Sequence, residues 1–280
     1  MKFYITGANG FIGQAISKKL QQLGHSTIAL GRNNNSWPVF DGDYNIINLA
    51  GSSIFRRFTK KAKQEIYDSR INTTRNLIEH IKNAQEKPQS FVSASAVGYY
   101  GDRKDQLLLE DAKPGTDFLA KVCIDWESTA NNGCLELRVR CINIRTGHVL
   151  GNGGILKTLL PFFKLGIGGN LGSGKQFMPW VALEDIVELY IFSALNQNCT
   201  GPINAVAPQI ITNQGFTKAL GKILHRPTFF TIRKFALKLL YGEFGELMLY
   251  SQKASSNKAM GLSFKFKYSS LEECLKNNLL

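Results

Sequence analysis

Two rhythms of apolar residues alternate along most of this chain. Short runs that are apolar nearly throughout, at 2–6, 26–30, 44–48, 91–95, up to Ile144, and 202–206, predict buried strands. Between them lie longer segments with apolar residues at helical spacing, at 14–23, 59–84, 118–130 and 183–195. In the longest, Ala62, Ile66, Ile71, Leu77, Ile78 and Ile81 recur on one face, with Lys and Glu between them. Strands apolar on both faces need covering on both faces, so the alternation predicts an α/β, doubly wound parallel sheet. The second half reads differently. Residues 147–174 are glycine-rich and predict an irregular loop region of the kind that covers a site. Helices follow near 213–224 and 232–240 and from Ser270 onward. No internal repeat or low-complexity tract marks a linker.

The first strand runs straight into Gly7-Ala8-Asn9-Gly10-Phe11-Ile12-Gly13, and an amphipathic helix follows. A strand that ends in a glycine-rich bend and restarts as a helix presents free backbone N–H groups and the positive end of the helix dipole, which suits a pyrophosphate. Gly7 permits the turn, Gly10 admits a phosphate without a Cβ in the way, and Gly13 lets the helix lie against the strand. The expectation is a Rossmann-type NAD(P)-binding domain over 1–150, completed by about 177–206. Residues 151–176 and 207–280 would form a small C-terminal α/β substrate lobe.

Composition narrows the function classes. The 280 residues are 44% hydrophobic and 20% charged, with no apolar run near the roughly 20 residues a membrane span needs. No cleavable apolar segment precedes the first strand, so the expected location is cytoplasmic, without a membrane partner. Five cysteines lack any C-x-x-C pairing or neighbouring histidine, which argues for reduced thiols and no metal. The 34 basic and 21 acidic side chains leave a charge of +13. The lysines are scattered and no nucleic-acid motif is present, so an anionic cofactor and an anionic small-molecule substrate account better for part of the excess. A homodimer is left open.

The residues quoted so far, together with Ile47-Asn48-Leu49-Ala50-Gly51, Ser93-Ala94-Ser95-Ala96-Val97-Gly98-Tyr99-Tyr100-Gly101-Asp102, Asp125-Trp126-Glu127, Arg145-Thr146-Gly147, Leu171-Gly172-Ser173-Gly174-Lys175-Gln176, Trp180 and Glu184-Asp185, carry a resemblance. The chain resembles the short-chain dehydrogenase/reductase superfamily, and more closely its atypical, sugar-nucleotide-epimerase-like branch with a C-terminal domain of unknown function. The resemblance implies a Rossmann core binding NAD(P) and a smaller lobe closing over substrate. It also implies an oxidoreductase or epimerase-like reaction at a carbon bearing a hydroxyl or carbonyl, as in a sugar nucleotide. The cofactor set is then Gly7, Asn9, Gly10, Phe11, Ile12 and Gly13 in the turn, with Leu49, Ala50, Gly51 and Ser93 at neighbouring strands. The second strand ends Ala29-Leu30-Gly31-Arg32 with no carboxylate to hold a ribose 2′-hydroxyl, so Arg32 favours NADP over NAD.

Catalysis is harder to place. Hydride-transferring members pair a tyrosine with a lysine four residues on, so that the cation lowers the phenol pKa. Among nine tyrosines only Tyr100 and Lys104 have that spacing, and they lie in a turn sequence, so the usual dyad is absent. Ser95, Tyr99, Tyr100 and Lys121 remain as catalytic candidates. Arg145, Lys175, Gln176 and Trp180 are candidates for substrate, with Arg140 a further anion contact; loop-to-core packing and local charge neutralisation are the competing roles. A catalytically inactive NADP-binding sensor is the alternative that the missing dyad keeps open.

Overall fold

A computed structural model describes residues 1–279. Six parallel strands form the central sheet: β1 (Lys2–Thr6), β2 (Ser26–Leu30), β3 (Tyr44–Asn48), β4 (Ser90–Ala96), β6 (Arg140–Thr146) and β10 (Gly201–Ala205), in the order β2-β1-β3-β4-β6-β10. Alternate side chains of each strand serve opposite layers. Phe3 and Ile5 of β1 join Ile16 and Leu20 of α1 (Phe11–Gln22) and Ile186 and Leu189 of α5 (Leu183–Leu195). Tyr4 faces the other way, toward Leu77, Ile78 and Ile81 of α2 (Lys60–Asn83) and Ala130 and Cys134 of α3 (Phe118–Leu137). The expected doubly wound α/β sheet is the architecture found.

Local chemistry fixes the long helices. Thr59 caps α2 by accepting the Ala62 N–H at 3.1 Å, and the Lys87 ammonium donates to the carbonyls of Ile81, Lys82 and Ala84 at the far end. Asp117 accepts the N–H groups of Leu119 and Ala120 to start α3. That helix runs past the predicted end at Ala130, through Asn131-Asn132-Gly133, and stops at Arg138 with φ +56°. Gly133 is no breaker here. A Cβ on it would stand 2.6 Å from the γ-carbons of Ile78, so the missing side chain lets α3 lie against α2.

Between β2 and β3 the chain crosses without an α-helix, through a single 3-10 turn at Asn34–Ser36. Trp37 and Phe40 tuck this loop under the sheet, with the Trp37 indole donating to the Gly31 carbonyl at 2.8 Å and Phe40 stacked 4.3 Å from Tyr4. Only β2 lies outboard of β1, so strand order reverses between β1 and β3, where ligands of such sheets bind.

The glycine-rich region is more regular than its composition suggests. It holds β7 (His148–Gly151), α4 (Gly154–Lys164) and β8 (Gly169–Leu171), with glycines at the joints: Gly154, Gly166, Gly172 and Gly174 all have positive φ. β7 pairs with β9 (Trp180–Ala182). The remaining chain supplies α6 (Asn213–Ile223), β11 (Phe230–Ile232), α7 (Lys234–Tyr241), α8 (Glu243–Leu247), α9 (Asn257–Gly261) and α10 (Leu271–Leu279). A second apolar core joins Leu156, Phe163, Trp180, Phe216, Leu220 and Leu275. Two short strands, β5 (Leu107–Leu108) and β12 (Lys253–Ala254), pair across the two halves. Among the described residues no helix is long and apolar enough to cross a membrane.

Candidate functional site

The turn after β1 has the form the sequence implies. Gly7 has φ +67°, and a Cβ there would meet the Leu49 carbonyl oxygen at 2.8 Å. A Cβ on Gly13 would collide with the Gly7 carbonyl, so the helix rests on the turn only because it is glycine. At Gly10 a Cβ would touch nothing but that carbonyl, at 3.1 Å. Gly10 is also the N-cap of α1, with no side-chain cap and no acidic residue in the first turn. The first N–H groups of the helix therefore remain for an anion. Gly7, Gly10, Phe11, Ile12 and Gly13 line a cavity of about 710 Å³ between sheet and lobe; Asn9 is exposed beside it.

A buried polar chain holds the neighbouring turn. The Thr6 hydroxyl donates to Asn48 Oδ1 at 2.7 Å and accepts the N–H groups of Leu49 and Ala50. Asn48 Nδ2 donates to Thr74 Oγ1 and Ser93 Oγ. Ser93, expected at the cofactor, is thus a fully buried partner of Asn48, and shapes the turn from beneath. Leu49 and Gly51 reach the cavity. Gly51 lies against Arg70, whose guanidinium would be 2.8 Å from a Cβ there and donates to the carbonyls of Ser52 and Ile66.

Of the four catalytic candidates, Ser95 alone lines the cavity. Its hydroxyl donates to Glu127 Oε1 at 2.6 Å. Glu127 is clamped by Arg145, which donates to the Tyr100 hydroxyl at 3.0 Å as well. Burial opposes the charge on Arg145, but its hydrogen bonds to Glu127 outweigh that and hold its pKa above the ordinary value. Arg145 is therefore the counter-ion of Glu127, 2% exposed, and no anion contact for substrate.

Both tyrosines are occupied by this cluster. Tyr100 donates to Asn204 Oδ1 at 2.7 Å, and burial pushes its phenol up to about 12 against the pull of Arg145. Tyr99 lies with its ring centroid 3.5 Å from the Arg145 guanidinium. Lys121 is exposed and pairs with Asp125 one turn along α3.

The substrate candidates separate too. Gln176 lines the cavity but donates to the Leu171 carbonyl at 2.9 Å. Lys175 is exposed outside it. Trp180 belongs to the lobe core, 1% exposed, its indole donating to the Gln209 carbonyl. Arg140 donates to the carbonyls of Ser193, Ala194 and Cys199 at the end of α5, away from the cavity. Arg32 is exposed at the end of β2 with no ion pair among the described residues.

Glu127 is a further candidate residue at the site that the sequence motifs do not single out. Its signal was present: a carboxylate in the buried stripe of α3, between Cys123 and Ala130 at helical spacing. Cys123 and His148 line the cavity as well. Burial pushes the thiol of Cys123 up to about 12 and the imidazole of His148 down to about 4, so both are neutral near pH 7.

Comparison with known proteins adds to this geometry. Residues 3–205 match the NAD dependent epimerase/dehydratase family, and residues 234–277 match a Domain of unknown function (DUF1731). The chain is 35% identical over 300 residues to the epimerase family protein SDR39U1 homolog, chloroplastic, of Arabidopsis thaliana, covering 99% of this chain and 86% of that one. It is 33% identical to epimerase family protein YfhF of Bacillus subtilis, covering 98% and 97%. Among solved structures, human epimerase family protein SDR39U1 with NADPH superposes with a TM-score of 0.92 at 27% identity, over 99% of each chain. UDP-glucuronic acid 4-epimerase from Bacillus cereus, at 16% identity and a TM-score of 0.80, shares the fold.

Proposed function

Because the chain belongs to the NAD dependent epimerase/dehydratase family, we propose that it binds NADP(H) at the Gly7–Gly13 turn and oxidises or reduces a carbon bearing a hydroxyl or carbonyl. The observation that carries this reading is the uncapped first turn of α1, with Gly10 free of any side chain, opening onto the same cavity as Ser95. These residues fit a dinucleotide: backbone N–H groups for the diphosphate, and Leu49 and Gly51 for the adjoining ribose. Arg32, exposed at the end of β2 and without an ion pair among the described residues, is the residue assigned to a 2′-phosphate in this reading. The NADPH carried by the human relative supports the same cofactor.

The cofactor supplies the hydride acceptor or donor. The protein handles the proton. With its own proton given to Glu127, Ser95 Oγ turns its lone pairs to the cavity and accepts the hydroxyl proton of an alcohol. As the alcohol is oxidised that proton passes to Oγ, and the Ser95 proton passes to Glu127 Oε1. Reduction runs the same relay backward. Ser95 and Glu127 thereby fill the place left by the absent Tyr-Lys dyad.

The test is a calorimetric titration with NADPH and NADH of the wild-type protein and of Arg32→Ala. The expected result is NADPH binding that weakens about tenfold or more in the variant, with NADH binding unchanged. Absence of binding to both cofactors overturns the reading.

A further inference from the structure

The cavity that Ser95 faces is lined mainly by hydrocarbon, and its carboxylate, guanidinium and amide groups are engaged elsewhere. Beyond the glycine turn its walls come from Leu119 and Val122 of α3, Leu159 and Phe162 of α4, and Phe244 and Leu247 of α8. Its lining holds one carboxylate, one guanidinium and one imidazole. Asp117 is spent on the first turn of α3. Arg70 lies on the cofactor side, against Gly51, with two of its nitrogens held by the Ser52 and Ile66 carbonyls. His148 opens onto the cavity rather than bulk solvent. No lysine lines the space.

The amide side chains of the lining are similarly committed, whereas the buried Tyr190 hydroxyl, also on the lining, has no hydrogen-bond partner among the described residues. Gln176 donates to the Leu171 carbonyl, and Gln252 donates to the carbonyls of Val97 and Gly101. Asn213 Oδ1 accepts the Leu171 N–H.

A nucleotide sugar would bring a second diphosphate and several hydroxyls into this space. Away from a helix N-terminus, phosphate recognition relies on Arg or Lys, and a buried anion without such a partner is strongly disfavoured. The entrance has the same character. Phe55 and Phe162 line the cavity and are also 52% and 49% exposed, so an incoming ligand meets aromatic rings first.

We propose that the second ligand is a predominantly apolar molecule with one oxygenated carbon, a lipophilic alcohol or ketone, seated between α3, α4 and α8 with its oxygen at Ser95. The proposal rests on the functional reading above for the role of that oxygen. The apolar body of the ligand is recognised by the cavity itself. Its cost of entry is small because the amide and charged groups of the lining keep their protein partners when water leaves.

The test uses methyl ketones of increasing chain length, hexan-2-one to dodecan-2-one, with UDP-glucose, UDP-glucuronic acid and UDP alone as comparison probes. Binding is read by thermal shift with and without NADPH, and by the fluorescence of added NADPH. The expected result is affinity that rises about three- to fourfold per methylene until the cavity is filled, and no response to the UDP compounds. Phe162→Ser should flatten the ketone series and leave the NADPH titration unchanged. A flat ketone series, or UDP-sugar binding tighter than that of the longest ketone, overturns the proposal. Loss of NADPH binding alone would overturn the cofactor assignment, while the cofactor-free ketone series still decides this one.

Discussion

Glu127 and Arg145 face each other across the boundary between α3 and β6 through two hydrogen bonds of 2.8 Å, Nε to Oε1 and Nη2 to Oε2. The pair is buried on both sides, and each partner carries a further group, Ser95 on the carboxylate and Tyr100 on the guanidinium. Removing one member leaves an uncompensated charge under the sheet. Arg145→Ala should lower unfolding free energy by about 3–5 kcal/mol, whereas replacing both residues together should cost less than the sum of the two single changes. Urea denaturation of the two single variants and the double variant measures this.

Ser95→Ala removes the hydroxyl and leaves both bonds between Glu127 and Arg145 in place. The expected loss of stability is about 1–2 kcal/mol, and the expected fall in kcat is about a hundredfold or more, with NADPH affinity unchanged. Single-turnover oxidation of bound NADPH by a ketone reads the second effect. An unchanged rate would remove Ser95 from the reaction.

Two glycines of the first turn should behave differently when each is changed to alanine. At Gly13 the new methyl collides with the Gly7 carbonyl, so Gly13→Ala should destabilise the fold by about 1–3 kcal/mol or more. At Gly10 the methyl meets only one oxygen at 3.1 Å and otherwise occupies the approach to the helix N-terminus. Gly10→Ala should keep its melting temperature within a few degrees and bind NADPH at least about tenfold more weakly. Melting curves and titrations on both variants separate the two roles.

His148 links the cavity to acid stability. Burial lowers its pKa to about 4 in the folded chain, against about 6.5 when unfolded. Between those values the unfolded state binds the extra proton, so stability falls as pH drops from about 6.5 toward 4. The slope from this residue is at most about 1.4 kcal/mol per pH unit. His148→Asn should show a shallower fall in melting temperature between pH 7 and 4.5 than the wild type.

The sheet was legible because its strands are apolar on both faces, and α1, α2 and α5 because their apolar stripes are unbroken. Three features hid from that reading. The glycines of 147–174 look like an irregular loop in one dimension, yet Gly154, Gly166, Gly172 and Gly174 take positive φ at the ends of α4 and β8. Gly133 looks like a helix end because its reason for being glycine, Ile78, lies on another helix. Tyr99 and Tyr100 lie in a single 3-10 turn over residues 97–100 that carries them to Arg145 and Asn204, the latter 104 positions away.

At the site, the glycine turn was readable because all its chemistry is local. Ser95 and Glu127 needed the packing of β4 against α3 to become a pair. Trp180 carried the opposite ambiguity, since an indole in a glycine-rich stretch suits a ligand as well as a core. Its neighbours in the lobe core, Phe216 and Leu220 of α6, decided the matter.

The pairing of β5 with β12 sets how a ligand can come and go. Around that ladder, Arg103 N–H donates to the Ser251 carbonyl, Ser251 N–H to Asp102, Ser255 N–H to the Leu108 carbonyl, and Asn204 Nδ2 to the carbonyls of both Leu108 and Ser255. A lobe stitched to the sheet by its main chain does not swing open as a rigid jaw without breaking several of these bonds at once. Traffic falls instead to rotation of rings such as Phe55 and Phe162, motions of picoseconds to nanoseconds. Rotation of those rings is itself far faster than a chemical step and would not set the pace of turnover.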